Sequence, residues 1–479
     1  MKNTKLISLL RTFSKTESVK FREFVQSPYF NKNRLVIKTN EELAKYFPDF
    51  ESGDFTEQNI YAKVFGDEKF DYFKIRNIFS DIYQLALSFL LVSATEGKRI
   101  ENDITLLNEF HDRKLDNLYL QKEKQLRKNI GKHTKDELYY YANYQLSKIN
   151  TSHHKFEKFG YKFDLIQCEF DSFLSYSLLN LLKHYAKMLT NNNHGNIDFK
   201  MEMFEEIWSY VKEKDFSDLP SIQIYRQIIA LELSRDEKDF ILLRRLYDKH
   251  ESVLSREDVF FILLEINSFA AFRLKSGDES YYGIRFSTFR EIIEKNFFPE
   301  NYILFMNFIS VYTSACIVGE YGWAEDFAER FKNGISPVEE SDNTINFCRG
   351  YLDLTLRKYD SALGHFAKTN FKLFLAKVMV RNYTIRILYE ESLFEQAFSA
   401  IDSFRHYLKS EKLISGEVVT AQNEFLKYLS ELINLKIEAV NSGDSRLKLL
   451  EKQINSMTSN PLGSKNWLYR KVKELSKVK

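Results

Sequence analysis

Tyr321-Gly322-Trp323-Ala324-Glu325-Asp326-Phe327 is the stretch on which the fold turns, because it recurs. Lys358-Tyr359-Asp360-Ser361-Ala362-Leu363 and Leu393-Phe394-Glu395-Gln396-Ala397-Phe398 share its order of a large aromatic followed by a small residue. The anchoring aromatics Trp323, Tyr359 and Phe394 stand 36 and 35 residues apart. A period of that size belongs to arrays of helical hairpins, in which each unit is too small to bury its apolar face alone. The recurrence therefore predicts an architecture and leaves the chemistry open.

Outward from these three units, apolar spacing predicts further hairpins. Residues 220–234 pair with 236–254, 257–275 with 279–296, and 301–319 with 321–333. The last two pairs are 342–356 with 359–369 and 371–390 with 393–410. Helices over about 416–440, 444–457 and 464–477 cap the array. Gly and Pro number only 16 and 6, and every proline falls between periodic segments. Proline within a helix costs about 3 kcal/mol, so this placement suits a helix-loop-helix chain. Alternating strand patterns are nearly absent. The expected fold class is all-α: a helical-hairpin array (an α-solenoid) preceded by a helical N-terminal domain. Three segments are expected: 1–95, 96–215 and 216–479. In the first, Ser14-Lys15-Thr16-Glu17 has the form of a capping box. Leu85 to Val92 reads as a helix apolar on nearly all sides. In the second, Leu115, Leu118, Leu120 and Leu126 stripe one helix, and Asn191–Asn196 reads as a loop.

Bulk properties narrow the class. The chain has 479 residues, 44% apolar and 28% charged, with 42 Phe and 28 Tyr. So many aromatics argue against disorder, and the length calls for several domains or an extended array. A net charge of +2 argues against a wholesale polyanion binder. Cys168, Cys316 and Cys348 form no CxxC pair, so reduced, buried thiols in a cytoplasmic protein are expected. Leu6–Leu10 is too short for the apolar core of a signal peptide. Asn301–Gly319 carries no charge, yet Asn307, Ser310, Thr313 and Ser314 and its acidic flanks point to a buried helix rather than a membrane span.

The recurring units resemble the tetratricopeptide repeat family. Gly350 takes the small position of a first helix. Tyr359, Ala362 and Phe366 take the turn aromatic, the small residue and the large residue of the second. Phe394, Ala397 and Ile401 do the same one unit later. In the first unit Asp326 stands where the family has alanine. The resemblance covers roughly 300–410 and is architectural over 220–300. It implies a groove lined by the first helix of each hairpin, which holds a peptide. Carried over by position, the groove takes Phe308, Val311, Tyr312 and Ala315 from the first unit. Phe347, Tyr351, Leu354 and Thr355 come from the second, and Asn382, Arg386 and Tyr389 from the third. Arg386 and Asn382 would meet a peptide carboxylate or backbone, and the tyrosines would stack on the ligand. The alternative is that these side chains only pack on neighbouring helices.

His153-His154 are the only adjacent histidines and point about 100° apart on a helix, so no metal site is expected. No HExxH motif, Gly-x-Gly loop or Gly-x-Ser-x-Gly elbow occurs. No cofactor and no catalytic residue are expected. Residues 1–38 carry nine Lys and Arg, among them Lys2, Arg11, Lys20 and Lys38, against Glu17 and Glu23. The readings that follow are a non-enzymatic scaffold binding a protein or peptide, a regulator whose basic N-terminal domain binds nucleic acid while the array senses a partner, and, third, a helical enzyme whose site is assembled from distant residues.

Overall fold

The computed structural model describes residues 1–153, 162–195, 198–411, 416–438 and 445–477. The chain divides into two units, Met1–His133 with Leu138–Leu174, and Thr134–Glu137 with Ser175–Lys479. The expected divisions near 95 and 215 fall inside these units, and the observed one falls inside a helix. Across the described residues the fold is all-α, with 23 α-helices and a single two-residue strand pair.

In the first unit, α1 (Lys5–Leu10), α2 (Lys15–Gln26), α3 (Arg34–Ala44), α4 (Glu57–Phe65) and α5 (Tyr72–Glu96) all start on a capping side chain. Thr4, Ser14, Asn33, Thr56 and Asp71 each accept a backbone N–H of the following turn. The Ser14–Glu17 capping box forms as its sequence predicts. α5 lays Ile75, Ile78, Phe79, Ile82, Ala86 and Phe89 against α1 to α4. Its other side is bare, with Leu91 72% exposed, so the run apolar on nearly all sides is buried on one side only. The short helices cover only one side of a helix 25 residues long. By length and composition α5 is also apolar enough to cross a membrane.

A second cluster follows on α6 (Arg99–Asp112), α7 (Asp116–Lys132) and α8 (Glu137–Ser152). It gathers Ile104, Leu107, Leu126, Ile130, Leu146 and Ile149. Leu115, Leu118 and Leu120 are exposed, and Tyr119 takes the inward position on α7 instead. The two clusters meet between Phe89 and Ile100, within the first unit. α9 (Lys162–Gly195) crosses into the second unit. The run Asn191–Gly195, expected as loop, continues this helix, and Asn196 lies outside the described residues.

After α10 (Phe204–Glu213) the second unit consists of consecutive hairpins, close to the predicted bounds. α11 (Pro220–Ser234) packs with α12 (Glu237–His250), and α13 (Arg256–Lys275) with α14 (Tyr281–Glu294). α15 (Phe305–Ile317) pairs with α16 (Tyr321–Phe331), and α17 (Ser341–Thr355) with α18 (Tyr359–Phe366). α19 (Phe374–Glu390) pairs with α20 (Phe394–Ser410), followed by α21 (Gly416–Ile437), α22 (Ser445–Asn455) and α23 (Ser464–Leu475). The uncharged run 301–319 is largely α15, which buries Phe308, Val311, Tyr312 and Ala315. Ile303–Leu304 and Ile335–Ser336 form a short parallel pair. It brings Gly334 so close to the Glu300 carbonyl that a Cβ would collide.

The three recurring stretches occupy like positions in three helices. α16, α18 and α20 begin on Tyr321, Tyr359 and Phe394. Three residues on, Ala324, Ala362 and Ala397 are each 0% exposed. The first unit therefore registers on Tyr321 rather than Trp323, and its small residue is Ala324. Asp326 is exposed and occupies no packing position. Gly350 of α17 lies against the Phe366 ring of α18, where a Cβ would stand 2.8 Å from Cε1.

Candidate functional site

The segment between α22 and α23 decides where a site can form. Met457–Ser464 runs as a strap between the end of α13 and the side of α19. Asn460 donates its backbone N–H to Lys275 O at 2.7 Å and its Nδ2 to Leu274 O at 3.2 Å. These carbonyls end α13, and that of Leu274 also accepts the Gly277 N–H. Asn460 Oδ1 accepts the N–H groups of Lys465 and Asn466, capping α23. Asn466 Nδ2 donates to Gly277 O, and Arg470 pairs with Glu279 at 2.9 Å. Two and four residues after Asn460, Leu462 O and Ser464 Oγ accept from Arg386 of α19 at 2.9 and 2.7 Å. Trp467 Nε1 donates to Glu390 Oε1 on the same helix.

This arrangement corrects the groove assignment. Asn382 is 0% exposed and donates to Gln422 Oε1 and Ser464 Oγ. Arg386 is enclosed by the rings of Tyr383, Phe425 and Trp467 at 5.3–5.5 Å. Burial lowers its pKa from the ordinary arginine value. Tyr389 is buried edge-on against Trp467. Tyr312 is buried with its hydroxyl on Glu325. Thr355 is half-buried and donates back to Tyr351 O. Phe308, Val311, Ala315 and Phe347 are core residues, and Leu354 is half-buried. Asn382 and Arg386 do meet a peptide backbone and hydroxyl, but these belong to the chain's own strap.

What remains open is a cavity of about 290 Å³ beneath Asn460–Gly463. Of the six residues expected in the groove (Tyr312, Tyr351, Thr355, Asn382, Arg386 and Tyr389), only Tyr351 lines it. The helices contribute Arg285 and Tyr282 from α14, Ser310, Thr313 and Ser314 from α15, and Tyr383 from α19. Met306, Ile309, Ile317, Leu375 and Met379 supply much of the apolar wall. No Asp or Glu is among the lining residues. Tyr351 and Tyr383 meet edge to face at 5.1 Å. Burial raises the hydroxyl pKa of Tyr282, Tyr351 and Tyr383, so all three stay protonated donors. Arg285 sits 5.6 Å over the Phe289 ring, and its Nε, closed off from solvent, has no hydrogen-bond partner. The signal was present in the sequence. Met306, Ser310, Thr313 and Ile317 form one stripe at helical spacing.

Other expected features are placed as follows. Cys316 and Cys348 are buried, the Cys316 thiol pushed up to about 12 by burial, while Cys168 is exposed against expectation. His153 is buried against Tyr119, and His154 lies outside the described residues. Among the described residues, no three His, Cys, Asp or Glu side chains are gathered for a metal. In the basic N-terminal stretch, Lys2 and Arg11 pair with Glu51, Lys20 pairs with Glu96, and Lys38 donates to Val64 O. No family model, curated protein or solved structure matches the chain.

Proposed function

We propose that this chain is a non-enzymatic interaction scaffold, a divergent tetratricopeptide-like array acting in the cytoplasm, whose second unit recognises a peptide segment of a partner protein. The strap carries this reading. α13 offers a peptide main chain its terminal carbonyls, that of Leu274 shared with the Gly277 N–H, and α19 offers a buried guanidinium; Asn460, Leu462 and Ser464 occupy those positions. Such groups, held rigidly before a ligand arrives, lower the ordering cost of binding. A partner segment would be read by the same chemistry, in the strap's place or beside it.

A photo-crosslinking amino acid at Ile317 tests this. Ile317 is 38% exposed and lines the cavity. Irradiation of cells making the full chain should give an adduct with a second protein, mapping to a defined segment of it. The same group at Glu329, on α16 and away from the cavity, is the control. Adducts no stronger at Ile317 than at Glu329 would sink the assignment.

A further inference from the structure

Arg285 rests over the Phe289 ring and lines a preformed space, with its Nε unpartnered. An arginine keeps its charge at any ordinary pH, and an enclosed cation normally has a carboxylate or several acceptors beside it. Among the described residues Arg285 has neither ion pair nor hydrogen bond. Its electrostatic neighbours are the neutral hydroxyls of Tyr282, Tyr351 and Tyr383. No carboxylate lines the cavity, so the walls do not supply the missing counter-charge.

We propose that the space between Arg285 and the strap binds a small carboxylate carrying an apolar tail. The guanidinium fork matches a carboxylate, and the tyrosine, serine and threonine hydroxyls around it can donate to the remaining oxygen positions. Met306, Ile309, Leu375 and Met379 would take the tail. Charge favours a carboxylate over a phosphate. One uncompensated guanidinium balances one negative charge, and Lys275, the other basic lining residue, is already engaged. Size favours a small molecule over a peptide. The volume of about 290 Å³ lies at the lower edge of small-molecule pockets, and the strap, bonded to α13 and α19, roofs it. This goes beyond peptide recognition and stands on a different residue.

Calorimetric titration of the purified full chain with octanoate, 1-octanol and octyl phosphate tests the proposal. Octanoate should bind one per chain. Arg285→Gln should weaken it about tenfold or more, and Arg285→Lys should restore part of the loss. Octanol should bind more weakly and be indifferent to the substitution. A melting temperature for unliganded Arg285→Gln at or above that of the parent chain would show that the residue is kept for a ligand rather than for the fold. The proposal is overturned if octanoate does not bind, binds both chains equally, or is outcompeted by octyl phosphate. A crosslink at Ile317 that persists in Arg285→Gln while octanoate binding is lost would separate this site from the peptide reading.

Discussion

Glu265 on α13 is a buried carboxylate that the fold holds at a cost. It is 2% exposed, accepts a hydrogen bond from Thr190 Oγ1, and lies near Glu232 of α11, which pairs with Arg235. Burial first, and the neighbouring Glu232 charge second, push its pKa from 4.5 up to about 8. The folded chain thus keeps a proton that the unfolded chain releases, and stability falls as pH rises from about 4.5 to about 8. Glu265→Gln, which keeps the shape without the titration, should leave the melting temperature near pH 5 almost unchanged. At pH 8 it should raise it by several degrees, read from parallel melts; equal shifts at both values would refute this. The residue scale is also where the sequence was hardest to read. The repeat resemblance places Arg386 and Asn382 in a groove by position, whereas both are buried against the chain itself. What fills the space before them is a segment some 80 residues away, and no local pattern encodes that. Arg285 passed unremarked because a basic residue within a helix usually reaches solvent.

At the scale of elements, one turn is used repeatedly. Each ends a helix on a residue of positive φ: Lys114, Gly277, Asn296, Gly319, Arg357 and Ser392. The next N–H then reaches back five residues, as in Glu320 N to Ala315 O, Lys358 N to Asp353 O and Leu393 N to Leu388 O. This is the Schellman closure. It stands in place of the N-terminal side-chain caps seen in α1 to α5, which α16, α18 and α20 lack. Only two of the six positions are glycine, so the others carry a left-handed conformation that costs an L-residue roughly 1–2 kcal/mol. Ser392 is exposed and has φ 58, so Ser392→Gly should stabilise the second unit by about 0.5–1 kcal/mol, net of glycine's added chain entropy. Gly319→Ser should lose a similar amount, because nothing lies within 4 Å of the added Cβ. Chemical denaturation of both variants checks the pair, and a shift of the same sign in each would rule it out. Elements were the most legible level. Periodic apolar faces and the placement of Pro and Gly located the hairpins closely, because both signals are local. The exceptions were also instructive. The run Asn191–Gly195 is helical because polarity alone does not break a helix when neither proline nor a left-handed residue interrupts it.

At the scale of the second unit, the hairpin series is fastened by residues late in the chain. Asn460 and Asn466 bond to the carbonyls of Leu274, Lys275 and Gly277, while Leu462 and Ser464 meet Arg386. A repeat array in which each hairpin touched only its neighbours would unfold piecemeal. The strap adds contacts about 190 residues apart in sequence, so α13 and α19 should be coupled. The two fastenings are not equal. The Arg470–Glu279 pair is exposed on both sides and contributes little, typically under about 1 kcal/mol. Asn460 is 3% exposed and serves as donor to α13 and cap to α23 at once. Asn460→Ala removes the side-chain donor to the Leu274 carbonyl, which keeps the Gly277 N–H, and leaves the first N–H groups of α23 without their cap, at a cost of about 1–2 kcal/mol. Hydrogen exchange read by mass spectrometry should then show faster exchange at 457–467, at the end of α13 and around Asn382–Arg386 together. Arg470→Glu should leave all three nearly as protected as in the parent chain. Faster exchange confined to 457–467 in Asn460→Ala would mean that the strap rests on the hairpins without fastening them, and α13 and α19 would then be independent parts of the array.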